Sequence, residues 1–215
     1  GTFAPSELNA LPSLLALVSD TLNQPLPIDP YAPKTSFLEQ YAHEVAALAV
    51  FVATVILTIL SFPPYHSPEF AYAMLLPAIL WSYRRPPMKL YVWTMFAAQA
   101  VAWTVVLGWL HHVTWLGLLL LGPVVGAWVG VWYLAARWAL PRSLGRPTLT
   151  RLLTMLGLAA AWVLIEWTRT WVLGGFPWLP LAASQWERSS ILQIASYAGA
   201  GGVSAGAGSG AAAGA

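Results

Sequence analysis

Charge is so sparse along this chain, and so regularly interrupted by apolar runs, that the folding problem it poses is one of membrane spans. Only 8% of its 215 residues are charged and 58% are hydrophobic, with a mean hydropathy of +0.65. A soluble domain carries about 25% charged residues. Apolar segments occupy residues 45–62, 70–83, 90–110, 115–138 and 152–171. Crossing about 30 Å of hydrocarbon takes roughly 20 helical residues, so the third to fifth are comfortable spans. The second is short and carries Pro77 near its middle, which predicts a kink or the use of flanking residues. A sixth segment begins at Ile191 and is not completed. The fold class is therefore all-α, a polytopic membrane helix bundle of five spans plus an incomplete sixth.

Residues 1–44 hold Pro5, Pro12, Pro25, Pro27, Pro30 and Pro33 and lack the basic start of a signal peptide. They read as a proline-rich peripheral extension, with a short amphipathic helix near residues 8–22 and an extended stretch over 23–33. Residues 45–204 form the transmembrane domain. Residues 205–215 read as a low-complexity tail: apart from Val203, residues 199–215 are only Gly, Ala and Ser, a composition typical of flexible linkers.

Lysine and arginine fix the expected orientation. Arg84, Arg85 and Lys89 lie between the second and third segments, and Arg137, Arg142, Arg146 and Arg151 between the fourth and fifth. Residues 61–69 and 111–114, in the alternate loops, contain none. The positive-inside rule places the basic loops and the N-terminus in the cytoplasm and residues 166–186 on the outer face. Ser143 is then expected inside and Ser184 outside. The pI of 9.1 reflects these loops rather than a nucleic-acid surface, since the net charge is only +2. Tryptophans near span ends, such as Trp81, Trp109, Trp115, Trp138 and Trp171, read as interfacial anchors. Gly122, Gly126 and Gly130 share one helix face, where small residues allow close backbone approach.

Polar chemistry concentrates in residues 166–186. Glu166 and Arg169 are three residues apart at a helix end, close enough to pair. Charged groups in a span usually mark a site, although a structural ion pair is an equally good reading of these two alone. Gly174, Gly175 and Pro177 end the helix, leaving Phe176 and Trp178 at headgroup level. Glu187 and Arg188 read as a solvated surface. His111 and His112 read as a polar span terminus, because adjacent helical residues point about 100° apart and no further ligand is near. His66 reads as a structural loop histidine. No phosphate loop, zinc motif or nucleophile with its base is present, so no cofactor or metal is expected. Cysteine is absent, which excludes thiolate chemistry within these residues.

The pattern Glu166, Arg169, Gly175-Phe176-Pro177-Trp178, Ser184-Gln185 resembles the bacterial apolipoprotein N-acyltransferases. Phe62, Pro64 and Tyr65 are similar to that family's turn between its first two helices. Residues 192–199 and Gly202-Val203-Ser204 resemble the start of its sixth helix. The similarity covers roughly residues 45–204.

The resemblance implies an enzyme of the bacterial inner membrane. It moves an acyl chain from a phospholipid, through a cysteine thioester, to the N-terminal amine of a diacylglyceryl-cysteine lipoprotein. A nitrilase-like domain with a Glu-Lys-Cys triad does this, and no triad residue maps onto these 215 residues, which alone are expected to be inactive. Glu166, Arg169, Gly175, Phe176, Pro177, Trp178 and Gln185 become the expected lipid-binding residues, with phospholipid donor and diacylated lipoprotein acceptor as partners. A non-catalytic lipid-binding or interaction module remains the alternative. A transporter is disfavoured because the polar features cluster at one outer end rather than at mid-membrane.

Overall fold

The computed structural model describes residues 41–65, 67–172, 175 and 178–213, with side chains described as far as Ala207. The expected helix near residues 8–22 and the extended stretch over 23–33 lie outside the described residues, as do His66, Gly174, Phe176 and Pro177.

Among the described residues the chain is helical, with no strand. The helices are α1 (Ala42–Ser61), α2 (Phe70–Ala73), α3 (Leu76–Tyr83), α4 (Met88–Val106), α5 (Trp115–Ser143), α6 (Thr148–Arg169) and α7 (Ser189–Ala213). Short 3-10 turns occupy Gly108–His112 and Leu181–Gln185. The apolar run 70–83 breaks between α2 and α3, and Pro77 falls in the first turn of α3, where a missing N–H costs nothing. By length and composition α1, α5 and α6 can each cross a membrane. The 19 residues of α4 rise about 28 Å, almost a full crossing. It buries Gln99, whose amide donates to the Tyr133 hydroxyl at 3.3 Å.

The glycine face of α5 sets the central packing. A side chain at Gly122 would meet the Thr104 backbone at 2.7 Å, one at Gly126 would meet Ala100 N at 2.6 Å, and one at Gly130 would meet the Phe96 ring at 3.1 Å. As α5 advances, its contact on α4 recedes, so the pair is antiparallel and the small-residue face is spent inside the chain. Trp132 donates to Leu158 O at 2.8 Å and Trp128 to Thr168 Oγ1 at 2.9 Å, which joins α5 to α6.

The bundle has two chemically distinct ends. At the basic end, Arg137 donates to Pro86 O at 2.6 Å, bringing the two Arg-rich loops together. At the opposite end, which carries the 166–186 motif, Gln185 donates to Pro68 O at 3.0 Å. Trp178 stacks on Trp109 with centroids 5.0 Å apart, and Arg188 pairs with Glu69. Arg188 thus ties the last loop to the first hairpin, where the sequence alone shows only a solvated charge.

Apolar side chains cover the outside. Leu48, Val52 and Ile56 on α1, and Leu149, Leu152, Leu153, Leu156 and Leu164 on α6, are all exposed. A monomer in water rarely shows contiguous apolar patches of this kind; a lipid surround requires them. Trp109, Trp115, Trp138 and Trp171 are exposed as anchors should be. Trp81 is instead buried against Tyr91, centroids 5.3 Å apart. Ser143 and Ser184 are both buried, so neither reports its side of the membrane.

The Gly/Ala/Ser run departs most from a linker. Residues 205–213 continue α7 as helix, beyond a break at Gly199 (φ 64°, ψ −174°). Val203, Ser204 and Ala207 are buried, and Ser204 Oγ accepts from Ala182 N at 3.0 Å. A side chain on Gly201 would press Val163 Cγ1 at 3.1 Å. In a bundle, small residues are a packing surface rather than slack.

Candidate lipid-facing site

The last turn of α6 delivers Glu166 and Arg169 to the motif end, and the two side chains part company there. Glu166 Oε1 accepts from Trp162 Nε1 at 2.7 Å and from Leu181 N at 2.5 Å. Leu181 opens a 3-10 turn, where a backbone N–H lacks an intrahelical partner, and the carboxylate supplies one. Hydrogen bonds to a charged group contribute about 1.5–3 kcal/mol each, so Glu166 clamps α6 to the 181–185 turn. The Glu166–Arg169 ion pair, one of the two readings of these residues, does not form; among the described residues the ion pair is Arg188–Glu69. Both bonds fall on Oε1 and hold the carboxylate toward Trp162 and Leu181.

Arg169 is 6% exposed, yet its Nε and Nη1 have no hydrogen-bond partner. Its guanidinium carbon lies 5.4 Å from the centroid of the Trp103 ring, and Trp103 Nε1 is a third buried donor without an acceptor. A hollow of about 10 Å³ separates Trp103, Glu166 and Arg169, room for about one water molecule. On its other side Arg169 borders a cavity of about 250 Å³ lined by Leu121, Val125, Trp128, Val172 and Gly175. Apolar walls with one buried cation are what an amphiphile's polar-apolar junction fits.

Gly175 is required by its backbone. Its φ is +86°, and a Cβ there would lie 2.5 Å from Thr170 O. Its N–H donates to Val172 O at 3.1 Å.

Of the expected lipid-binding residues, Arg169 and Gly175 border this cavity, and Glu166 stands behind Arg169. Trp178 is half exposed at the stack with Trp109, and Phe176 and Pro177 lie outside the described residues. Gln185 is fully buried and faces the first hairpin. Its Oε1 accepts from Tyr72 OH at 3.4 Å, and its Nε2 donates to Pro68 O and, at 3.0 Å, to Ser184 Oγ. Trp103 and Trp128 were not singled out in the sequence. Their one available signal was their place inside spans, away from the interfacial belt.

A bundle of long apolar helices with an exposed apolar surface and a buried polar cluster at one end defines the class: an integral membrane protein. The family model for the apolipoprotein N-acyltransferase N-terminal domain matches residues 54–213. An apolipoprotein N-acyltransferase of Vibrio vulnificus (strain CMCP6) is 31% identical over 72% of this chain and 30% of its own length. One from Methylococcus capsulatus (strain ATCC 33009 / NCIMB 11132 / Bath) is 39% identical over 31% of this chain and 11% of its own. The chain belongs to the apolipoprotein N-acyltransferase family. It spans about a third of the length of the Vibrio relative. No solved structure matches it significantly.

Proposed function

We propose that this chain is the membrane portion of a lipoprotein N-acyltransferase and that its motif end holds the phospholipid acyl donor. The observation that carries this reading is the pair of buried, unpartnered donors on Arg169, Nε and Nη1, beside an apolar cavity. A buried donor without an acceptor costs about 1–3 kcal/mol, and more when charged. A phosphate or ester oxygen from a lipid would satisfy these groups, while an acyl chain fills the space along Leu121, Val125 and Val172.

In this reading the chain sits in the bacterial inner membrane with its basic end and N-terminus in the cytoplasm. The motif end then faces the outer leaflet, where the diacylated lipoprotein acceptor is also presented. Acyl transfer through a thioester needs a thiolate nucleophile, and no cysteine occurs among these 215 residues. Their part is to bind and orient lipid.

The test is lipid retention by the purified chain after gel filtration in detergent. Wild type should keep phospholipid, and Arg169→Gln should weaken retention roughly tenfold or more, the loss of one charge-assisted hydrogen bond. The same preparation, given phospholipid and a diacylated lipopeptide, should transfer no acyl group. Equal retention by the variant would refute the site, and transfer by wild type would refute the division of labour.

A further inference from the structure

At the basic end, between the α3–α4 loop and the last turns of α5, lies a cleft of about 530 Å³ that the acyl-donor site does not use. Three guanidinium groups line it, those of Arg85, Arg137 and Arg142, with no carboxylate in the lining. Two of them are held in place. Arg137 donates from Nη2 to Pro86 O and stands over the Tyr91 ring, 4.7 Å from its centroid. Its Nη1 is buried without a partner. Arg142 donates from Nη1 to Trp138 O and stacks over the Trp138 ring at 4.9 Å. Fixing a guanidinium by a carbonyl and a ring leaves its other N–H groups aimed and unspent, which is the arrangement that recognises phosphate.

Apart from Ser82, whose hydroxyl donates to Ile79 O at 2.7 Å, the remaining lining is apolar. Met88 and Trp138 are exposed and Leu134 is half-buried, and together they give the cleft a greasy wall on the face that lipid bathes. Among the described acidic residues, Glu44, in the first turn of α1, is the one at this end of the chain's topology, and it is not in the lining.

We infer that this cleft binds the phosphate of an anionic phospholipid, with the acyl chains lying along Trp138, Leu134 and Met88. Basic pockets between transmembrane helices on the cytoplasmic side hold such headgroups. A zwitterionic lipid fits less well, because its ammonium would meet guanidinium with no carboxylate to receive it. Free phosphate shares the chemistry of the headgroup but gains nothing from the apolar wall. The proposal stands apart from the acyl-donor site, since it uses different residues at the opposite end.

Native mass spectrometry of the purified chain tests it, after exposure to dioleoylphosphatidylglycerol or dioleoylphosphatidylcholine in equal amounts. Wild type should retain the anionic phosphatidylglycerol preferentially, and Arg142→Gln should cut that preference about fivefold, the share of one arginine at an anionic surface. Arg146→Gln removes an exposed charge from the same loop but outside the cleft and should leave the preference unchanged. Millimolar inorganic phosphate should not displace the bound lipid. Equal retention of the two lipids, or equal losses in the two variants, would overturn the site in favour of diffuse attraction. Displacement by phosphate would overturn the lipid as its occupant. Arg142 is exposed and bonds only within its own helix turn, so its variant should fold; Arg85→Gln, also exposed, provides a second reading of the same preference.

Discussion

At Glu166 the carboxylate accepts from two N–H groups that nothing else satisfies, Trp162 Nε1 and Leu181 N. Glu166→Ala should therefore strand two buried donors at about 1–3 kcal/mol each. Glu166→Gln keeps an oxygen in place and should lose less than half as much. Thermal unfolding in detergent, followed by tryptophan fluorescence, would separate the two; equal losses would mean the bonds are not the source of the stability. Arg169 was legible as a candidate because a lone charge in an apolar span stands out. The direction its neighbour turns was not, because the competing partner of Glu166 lies 15 residues on, across a helix break. Trp103 and Trp128 had only their place inside spans to mark them, and that place does not say whether the indole N–H finds an acceptor, as Trp128 does at Thr168, or goes without, as Trp103 does.

The elements themselves were largely written in hydropathy. The run 70–83 has the outer limits of α2 and α3, and the fifth run differs from α6 by a few residues at each end. The fourth runs on past Trp138 to Ser143, because Pro141 sits within the last turn of α5 without ending it. What hydropathy missed is the continuation of α7 beyond the start it marked at Ile191, since Gly, Ala and Ser carry little apolar signal and act by letting backbones approach. The glycine face of α5 gives the sharpest contrast. Gly126→Val would place a Cβ 2.6 Å from Ala100 N, against backbone that cannot swing away, and should cost about 3 kcal/mol, the upper end of the usual overpacking range. Gly157→Ala on α6 meets nothing within 4 Å and should add up to about 1 kcal/mol through helix propensity. Both are read by the same unfolding assay, and a Gly126→Val as stable as wild type would contradict the antiparallel α4–α5 packing.

For the whole molecule, the two ends differ in charge, and that asymmetry sets the expected orientation in the membrane. The chain contains no cysteine, so single-cysteine variants give clean labels. Thr148→Cys at the basic end and Ser189→Cys at the motif end are exposed positions, unlike Ser143 and Ser184. In intact spheroplasts an impermeant maleimide should label Ser189→Cys, and Thr148→Cys only after lysis. The reverse pattern would turn the molecule over and detach the motif end from the outer leaflet.

The lipid-holding role of the motif end is tested most directly by photo-crosslinking with a phospholipid that carries a diazirine in its acyl chain, mapped by peptide mass spectrometry. In wild type the label should concentrate between Leu121 and Trp128 on α5 and at Val172, the walls of the cavity beside Arg169, and Arg169→Gln should remove it from there. Label spread along the exposed faces of α1 and α6, and unchanged by Arg169→Gln, would contradict it.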